Sequence, residues 1–152
     1  MSASAMRGGE PGSGNGTTDN ARPLISIAMC TYNGEAYLSG QLTSFVKQTQ
    51  QPNELIACDD GSTDNTLQVL DQFSKEAPFP VRVYRNQQRL GSTKNFEKAL
   101  SLCSGDFIFL SDQDDVWMPQ KVKTLVQALK NNPGGGYVFS DALIVDEMLR
   151  PM

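Results

Sequence analysis

From Pro23 onward, short apolar runs rich in β-branched and aromatic residues alternate with longer segments whose apolar positions recur every three or four residues. Leu24 to Cys30, Glu54 to Cys58, Val81 to Tyr84, Phe107 to Leu110 and Tyr137 to Phe139 read as strands. The segments between them carry a helical stripe: Leu38, Leu42, Phe45 and Val46; Val69, Leu70 and Phe73; Phe96, Ala99, Leu100 and Cys103; Val122, Leu125, Val126 and Leu129. Strands separated by helices predict βαβ units, and so an α/β, Rossmann-like, mostly parallel sheet flanked by helices.

Local punctuation agrees. Ser62 or Asp64 can cap the second helix and Ser92 the third, Pro119 suits the first turn of the fourth, and Asn131, Asn132, Pro133 and three glycines stop it. Residues 142–152 read as either a further strand or a loop. Residues 1–22 hold little that is apolar and five glycines between positions 8 and 16, with no preceding strand to make them a phosphate loop. They read as a disordered leader ahead of one folded unit, residues 23–152.

Composition narrows the chemistry. A net charge of −4 excludes a surface built to neutralise nucleic-acid phosphates. The absence of histidine removes His-based triads, His general bases and the usual zinc ligand sets, so catalysis would run on carboxylates. Cys30, Cys58 and Cys103 lack Cys-x-x-Cys spacing and end apolar runs, as buried free thiols of a reducing compartment do. No run approaches the length of a membrane span, so a cytoplasmic location is expected, with peripheral attachment at the inner face of the membrane left open.

In a parallel sheet the carboxyl ends of all strands share one edge, and ligands bind there. The segments that follow the strands are Thr31 to Glu35, Asp59 to Ser62, Asn86 to Gly91, Ser111 to Asp115, and Ser140-Asp141. Asp112, Asp114 and Asp115 are the sharpest signal, because three carboxylates in four residues repel unless a cation or proton neutralises them. They could instead turn the chain and cap the following helix, but a cap needs one acid. Oxygen ligands favour Mg²⁺ or Mn²⁺. One aspartate of the Asp59-Asp60 pair could accept from a base or ribose, or the pair could be an ordinary strand-to-helix turn. Thr31, Tyr32 and Asn33 suit a stacked, hydrogen-bonded base. Gly91, Lys94 and Asn95 could face a diphosphate from a helix N-terminus, and Trp117 could wall a sugar pocket or pack beneath its loop.

Four pieces then occur in order: Ile25 to Asn33 (ISIAMCTYN), Asp59 to Asp64 (DDGSTD), Arg89 to Leu100 (RLGSTKNFEKAL) and Ser111 to Pro119 (SDQDDVWMP). In this combination the chain resembles the inverting glycosyltransferases of family 2, which have the GT-A fold. The resemblance covers Pro23 to Met152. It implies that Asp60 meets the imide of a uracil or thymine beside Thr31 and Tyr32, in a donor site that also draws on Glu35, Gly91, Lys94, Asp112 and Gln113. It further implies a Mg²⁺ or Mn²⁺ ion on Asp114 and Asp112, and a sugar or acceptor pocket near Asp115, Trp117 and Asp141. The wording around Asp112 is similar to members that assemble bacterial polysaccharides and rhamnose-containing glycans, which implies a UDP- or dTDP-sugar donor and a glycan or lipid-linked acceptor. Family members invert by direct displacement, with a carboxylate base downstream of the region held here. The expectation is therefore a fragment without its acceptor-binding half. The alternative is a non-catalytic nucleotide-sugar or partner-binding module. A phosphoacceptor receiver domain needs an aspartate after the third strand, where Asn86-Gln87-Gln88 stands.

Overall fold

A computed structural model describes residues 4–7, 22–146 and 148–152. Its elements are β1 (Ser4–Arg7), β2 (Ile25–Thr31), α1 (Glu35–Val46), β3 (Glu54–Asp59), α2 (Thr66–Glu76), β4 (Val81–Arg85), α3 (Ser92–Leu102), β5 (Phe107–Ser111), α4 (Lys121–Asn131) and β6 (Tyr137–Phe139). The five strands and four helices read from the pattern are all present, four of the strands running one residue further towards their carboxyl ends than the apolar runs.

The sheet order is β4-β3-β2-β5-β1-β6. The first four strands are parallel, and β1 runs antiparallel between β5 and β6. Alternation within each strand divides the core. Ile25, Ile27 and Met29 of β2, Leu55 and Ala57 of β3, and Phe107 and Phe109 of β5 face α1, α2 and α4. Ala28, Cys30, Ile56, Cys58 and Ile108 face α3, which contributes Ala99 and Phe96. Burial on both faces explains why β2 and β3 read as continuous apolar runs rather than alternating ones. Cys30 and Cys58 are buried free thiols as expected, and Cys103 is half-buried. Among the described residues no helix is long and apolar enough to cross a membrane.

Several local expectations change. The disordered-leader reading fails for Ser4–Arg7, which pairs Ala5 with Phe109 and Val138. The glycine-rich composition belongs to residues 8–21, outside the described residues, whereas Ser4-Ala5-Met6-Arg7 has no glycine and meets the ladder left open beside β5. The third helix is preceded by Gly91, not capped by Ser92. Its φ of 80° is a left-handed conformation that Gly adopts without strain, and no side chain caps that end. Ser62 does not cap α2, because its hydroxyl is taken by Asp59 and by the Asn33 N–H. Asp64 does serve that end, accepting the Thr66 N–H at 3.0 Å although the chain turns helical only after Asn65. Pro119 stands just ahead of α4 rather than in its first turn. Residues 142–152 form a loop closed by a Val145–Pro151 bridge and by Asp146, which accepts from Met148 N, Arg150 N and Arg150 Nε.

Away from the carboxyl rim, Glu54 ties three segments together. Its Oε1 accepts from Ser26 Oγ (2.6 Å), Ser104 N (2.7 Å) and Ser104 Oγ (2.9 Å), and its Oε2 from Arg82 Nη2 (2.5 Å). Burial pushes this carboxyl up, but the hydrogen bonds from Ser26, Ser104 and Arg82 outweigh it and hold it below the usual carboxylate range. A depressed folded-state value means stabilisation that is present above the unfolded value of about 4.3 and disappears as pH falls through the folded one. Glu54→Ala is expected to cost about 2–3 kcal/mol at pH 7 by stranding the Ser104 N–H and the Ser26 hydroxyl. Glu54→Gln should flatten the loss of stability below about pH 4.3. Urea midpoints measured as a function of pH check both, and identical pH profiles for wild type and Glu54→Gln would contradict the assignment.

Candidate functional site

Register places the chemistry. Thr31, Asp59 and Arg85 are level at the carboxyl ends of β2, β3 and β4, and Ser111 of β5 pairs with Met29. The chain steps outwards from β2 to β3 to β4 and then returns to the other side of β2 with β5. The crevice between β2 and β5 is therefore the topological switch point, where loops diverge and leave room for a ligand. The loops carrying Asp60 and Asp112 to Asp115 leave the same rim on either side of it. Both charges reach Cys30, near the end of β2: burial pushes that thiol up first, and Cys58, Asp112 and Asp60 add to it.

Asp60, 4% exposed, organises the loop after β4. Its Oδ1 accepts from Asn86 Nδ2 (2.8 Å) and Leu90 N (2.7 Å), and its Oδ2 from Gly91 N (2.8 Å), with Arg89 Nε at 4.0 Å. Burial alone would raise this carboxyl, but the bonds from Leu90, Asn86 and Gly91 and the Arg89 charge together hold it below the usual range. Tyr32, Asp60, Gly61, Asn86, Gln88 and Arg89 are among the residues lining a cleft of about 500 Å³. Within it the Arg89 guanidinium lies 3.9 Å from the centre of the Tyr32 ring, a cation–π contact.

On the other side, the acidic loop opens onto a groove of about 460 Å³ lined by Asp114, Asp115, Trp117, Lys121, Ser140 and Asp141, with apolar walls that include Leu143 and Leu149. Burial first, then the charges of Asp114 and Asp115, push the Asp112 carboxyl above its ordinary value. Burial also raises Asp115, with Asp114 adding to it and Lys121 opposing. Lys121, which faces Asp115, is itself lowered by burial.

The predicted residues divide accordingly. Tyr32 and Asp60 share the first cleft, and Asp114, Asp115, Trp117 and Asp141 share the second. Gln113 spans the ground between them, its amide bonded to both the N–H and the carbonyl of Tyr32. Gly91 contributes its N–H to Asp60. Thr31 is 2% exposed with its hydroxyl on Asp59, which places it under the site and not in it. Glu35 is occupied by Asn65, accepting from its N and Nδ2, and so locks α1 to α2. Lys94 stands exposed in the first turn of α3 and lines neither cleft. Trp117 is 3% exposed, packed edge-on against Phe45 at 4.8 Å, and its Nε1 has no hydrogen-bond partner. It floors the groove rather than walling it.

Three contributors are not singled out by the sequence. Asn86 and Arg89 stand there only as parts of longer segments. Gln41, on the buried stripe with Leu38, Leu42 and Phe45, is 0% exposed and donates to Ser111 Oγ at 2.5 Å. A polar residue at an inward-facing helical position was the available signal.

These features define an α/β domain of the kind that binds nucleotides at the carboxyl rim of a parallel sheet. The chain matches the glycosyl transferase family 2 profile over residues 26–144, and it belongs to that family. It is 36% identical over 133 residues to the Escherichia coli UDP-Glc:alpha-D-GlcNAc-diphosphoundecaprenol beta-1,3-glucosyltransferase WfgD, covering 84% of this chain and 51% of the relative. It is 34% identical over 113 residues to the Shigella flexneri dTDP-rhamnosyl transferase RfbG, covering 72% and 39%. The structure of S. aureus TarS 1-349 in complex with UDP superposes with a TM-score of 0.65 at 27% identity, covering 72% of this chain and 33% of that one. The Pyrobaculum calidifontis mannosyltransferase PcManGT, solved with GDP-Man and Mn²⁺, gives a TM-score of 0.65 at 22% identity, over 72% and 33%. The GT-A fold is thus shared, and the chain spans a third to a half of the length of these proteins.

The carboxylates of this rim should respond oppositely to neutralisation. Asp60→Asn turns an amide nitrogen towards N–H groups and is expected to lower stability by about 1–3 kcal/mol and to speed proteolysis within residues 86–91. Asp112 is raised in the folded state, so its contribution weakens as pH rises from the unfolded value towards the folded one. Asp112→Asn should therefore raise Tm at pH 7 in EDTA. Calorimetry of both variants checks this, and shifts of the same sign would overturn it.

Proposed function

We propose that the chain carries the donor site of a metal-dependent, inverting glycosyltransferase that uses a UDP- or dTDP-sugar. The observation that carries this reading is the pairing, across the β2–β5 switch point, of a cleft holding Asp60 and Tyr32 with a loop of mutually repelling, half-buried carboxylates. The Asp60 cleft suits a pyrimidine, with the free lone pair of Asp60 accepting an imide N–H and the stacked Tyr32–Arg89 pair offering an outer face to the ring. Similarity to proteins named for UDP- and dTDP-sugars supports that class of donor.

Asp112 and Asp114 would hold Mg²⁺ or Mn²⁺. Among the described residues no three acidic or thiol side chains are grouped to hold an ion by themselves, so phosphate oxygens and water would have to complete the shell of an ion on these carboxylates. The raised Asp112 carboxyl gains the counter-charge it lacks. When bound, such an ion stabilises negative charge building on the departing diphosphate. Asp115 and Asp141 line the groove where an acceptor hydroxyl would approach, and its apolar walls suit a glycan carried on a lipid. A cytoplasmic, membrane-peripheral setting accords with such an acceptor.

UDP or dTDP at 100 times its dissociation constant, with Mn²⁺, should add about 2.7 kcal/mol to the stability of the chain. Asp114→Ala should abolish the Mn²⁺-dependent part of that gain while keeping the fold. Thermal shifts with Mn²⁺ or EDTA check this; gains equal in both conditions would sink the metal role. Sugar transfer by the purified chain would rule out a purely binding module.

A further inference from the structure

We propose that Gln113 is a positioning residue that joins the Tyr32 loop to the acidic loop, so that nucleotide and cation are held by one rigid unit; this rests on the donor site proposed above. The backbone ladder between β2 and β5 ends at Met29 and Ser111. Beyond it, Tyr32 has no strand partner on the β5 side. Gln113 replaces one: its Oε1 accepts the Tyr32 N–H at 2.8 Å and its Nε2 donates to the Tyr32 carbonyl at 3.1 Å. A primary amide accepts on one atom and donates from another in the same plane, as the two backbone groups of Tyr32 require. Asparagine has the same group one methylene shorter, and glutamate at neutral pH has no donor.

Two further observations show that the surroundings are shaped around this amide. A Cβ at Gly34 would occupy the space of the Gln113 carboxamide, the far end of a flexible side chain, so a larger residue there would push the amide off Tyr32. The Gly34 φ of −106° is open to any residue, so conformation does not call for glycine. The root of the acidic loop is pinned separately: Gln41 Nε2 donates to Ser111 Oγ at 2.5 Å, and that hydroxyl donates to the Asp112 carbonyl at 2.9 Å. The loop is thus fixed at Ser111 by α1 and at Gln113 by the segment leading into α1. Tyr32 lines the Asp60 cleft and Asp114 the groove beyond. A movement of the 112–115 loop therefore reaches the nucleotide cleft through a single amide, and a cation on the acids stiffens the Tyr32 loop by the same route.

The test uses the 152-residue chain and two variants, Gln113→Ala and Gly34→Ala. In the unliganded protein both should raise hydrogen exchange at the Tyr32 amide by about fivefold, the effect of removing roughly one net kcal/mol from a paired hydrogen bond, while amides inside β2 and β3 keep wild-type protection. With UDP as probe, the ratio of its affinity in Mn²⁺ to that in EDTA should shrink by about tenfold in both variants, the loss in Mn²⁺ exceeding any loss in EDTA. Unchanged Tyr32 exchange in Gln113→Ala overturns the clamp. An unchanged affinity ratio, or equal weakening in Mn²⁺ and EDTA, overturns the coupling. Absence of UDP binding by the wild-type chain would instead sink the donor-site reading, and the exchange measurement would still judge the clamp.

Discussion

The site depends on what happens to peptide groups where the ladders end. A parallel sheet satisfies its backbone only as far as the strands remain paired, and at the carboxyl rim several loops leave together with N–H and C=O groups unmatched. Side chains supply the partners here. Asp59, fully buried, accepts from Gly61 N, Ser62 N and the Thr31 hydroxyl. Asp60 accepts from Leu90 N and Gly91 N. Gln113 serves both backbone groups of Tyr32. Each residue brings loops from different strands to fixed positions, and the two clefts are the spaces that this stitching leaves.

The carboxylates of the rim consequently differ in kind. Asp59 and Asp60 are buried but surrounded by donors, and these hydrogen bonds hold the loops in place. Asp112 and Asp115 are half-buried, lack comparable donors and face another acid, so their charge opposes the fold. Sequence shows five aspartates of one type. Only the hydrogen-bond environment separates those that build the rim from those left to meet a ligand, and in the proposed function the same distinction is why a cation would sit on one side of the crevice and not on the other.

That distinction also marks the limit of what the chain disclosed on its own. Strands and helices were legible because β2, β3 and β5 are continuous apolar runs and α4 keeps its stripe of Val122, Leu125, Val126 and Leu129 without interruption. That the loops share one rim followed from parallel pairing alone; their order did not. The roles of Thr31, Glu35 and Trp117 were not legible, because each depends on a partner far away in sequence: Asp59 for Thr31, Asn65 for Glu35, and Phe45 for Trp117. Ser4–Arg7 was hidden by its glycine-rich neighbours, since composition averaged over a segment conceals a four-residue strand that a waiting edge can recruit.

The departures from good packing are concentrated rather than scattered. Between Asp112 and Lys121 the chain holds two carboxyls raised by burial and repulsion, a lysine lowered by burial, and an indole N–H buried without a partner. Elsewhere among the described residues the buried side-chain polar atoms are paired, including those of Gln41, Asn86 and Asn95. That one stretch combines an unpaired indole N–H with two repelling carboxyls, while buried polar atoms elsewhere among the described residues are paired, supports the ligand site proposed there. The unmet demands are of two chemical kinds, negative charge needing a cation at Asp112 and an apolar groove with one unused donor at Trp117. They lie side by side, as the proposed function would need for a charged leaving group and an acceptor bearing hydroxyls.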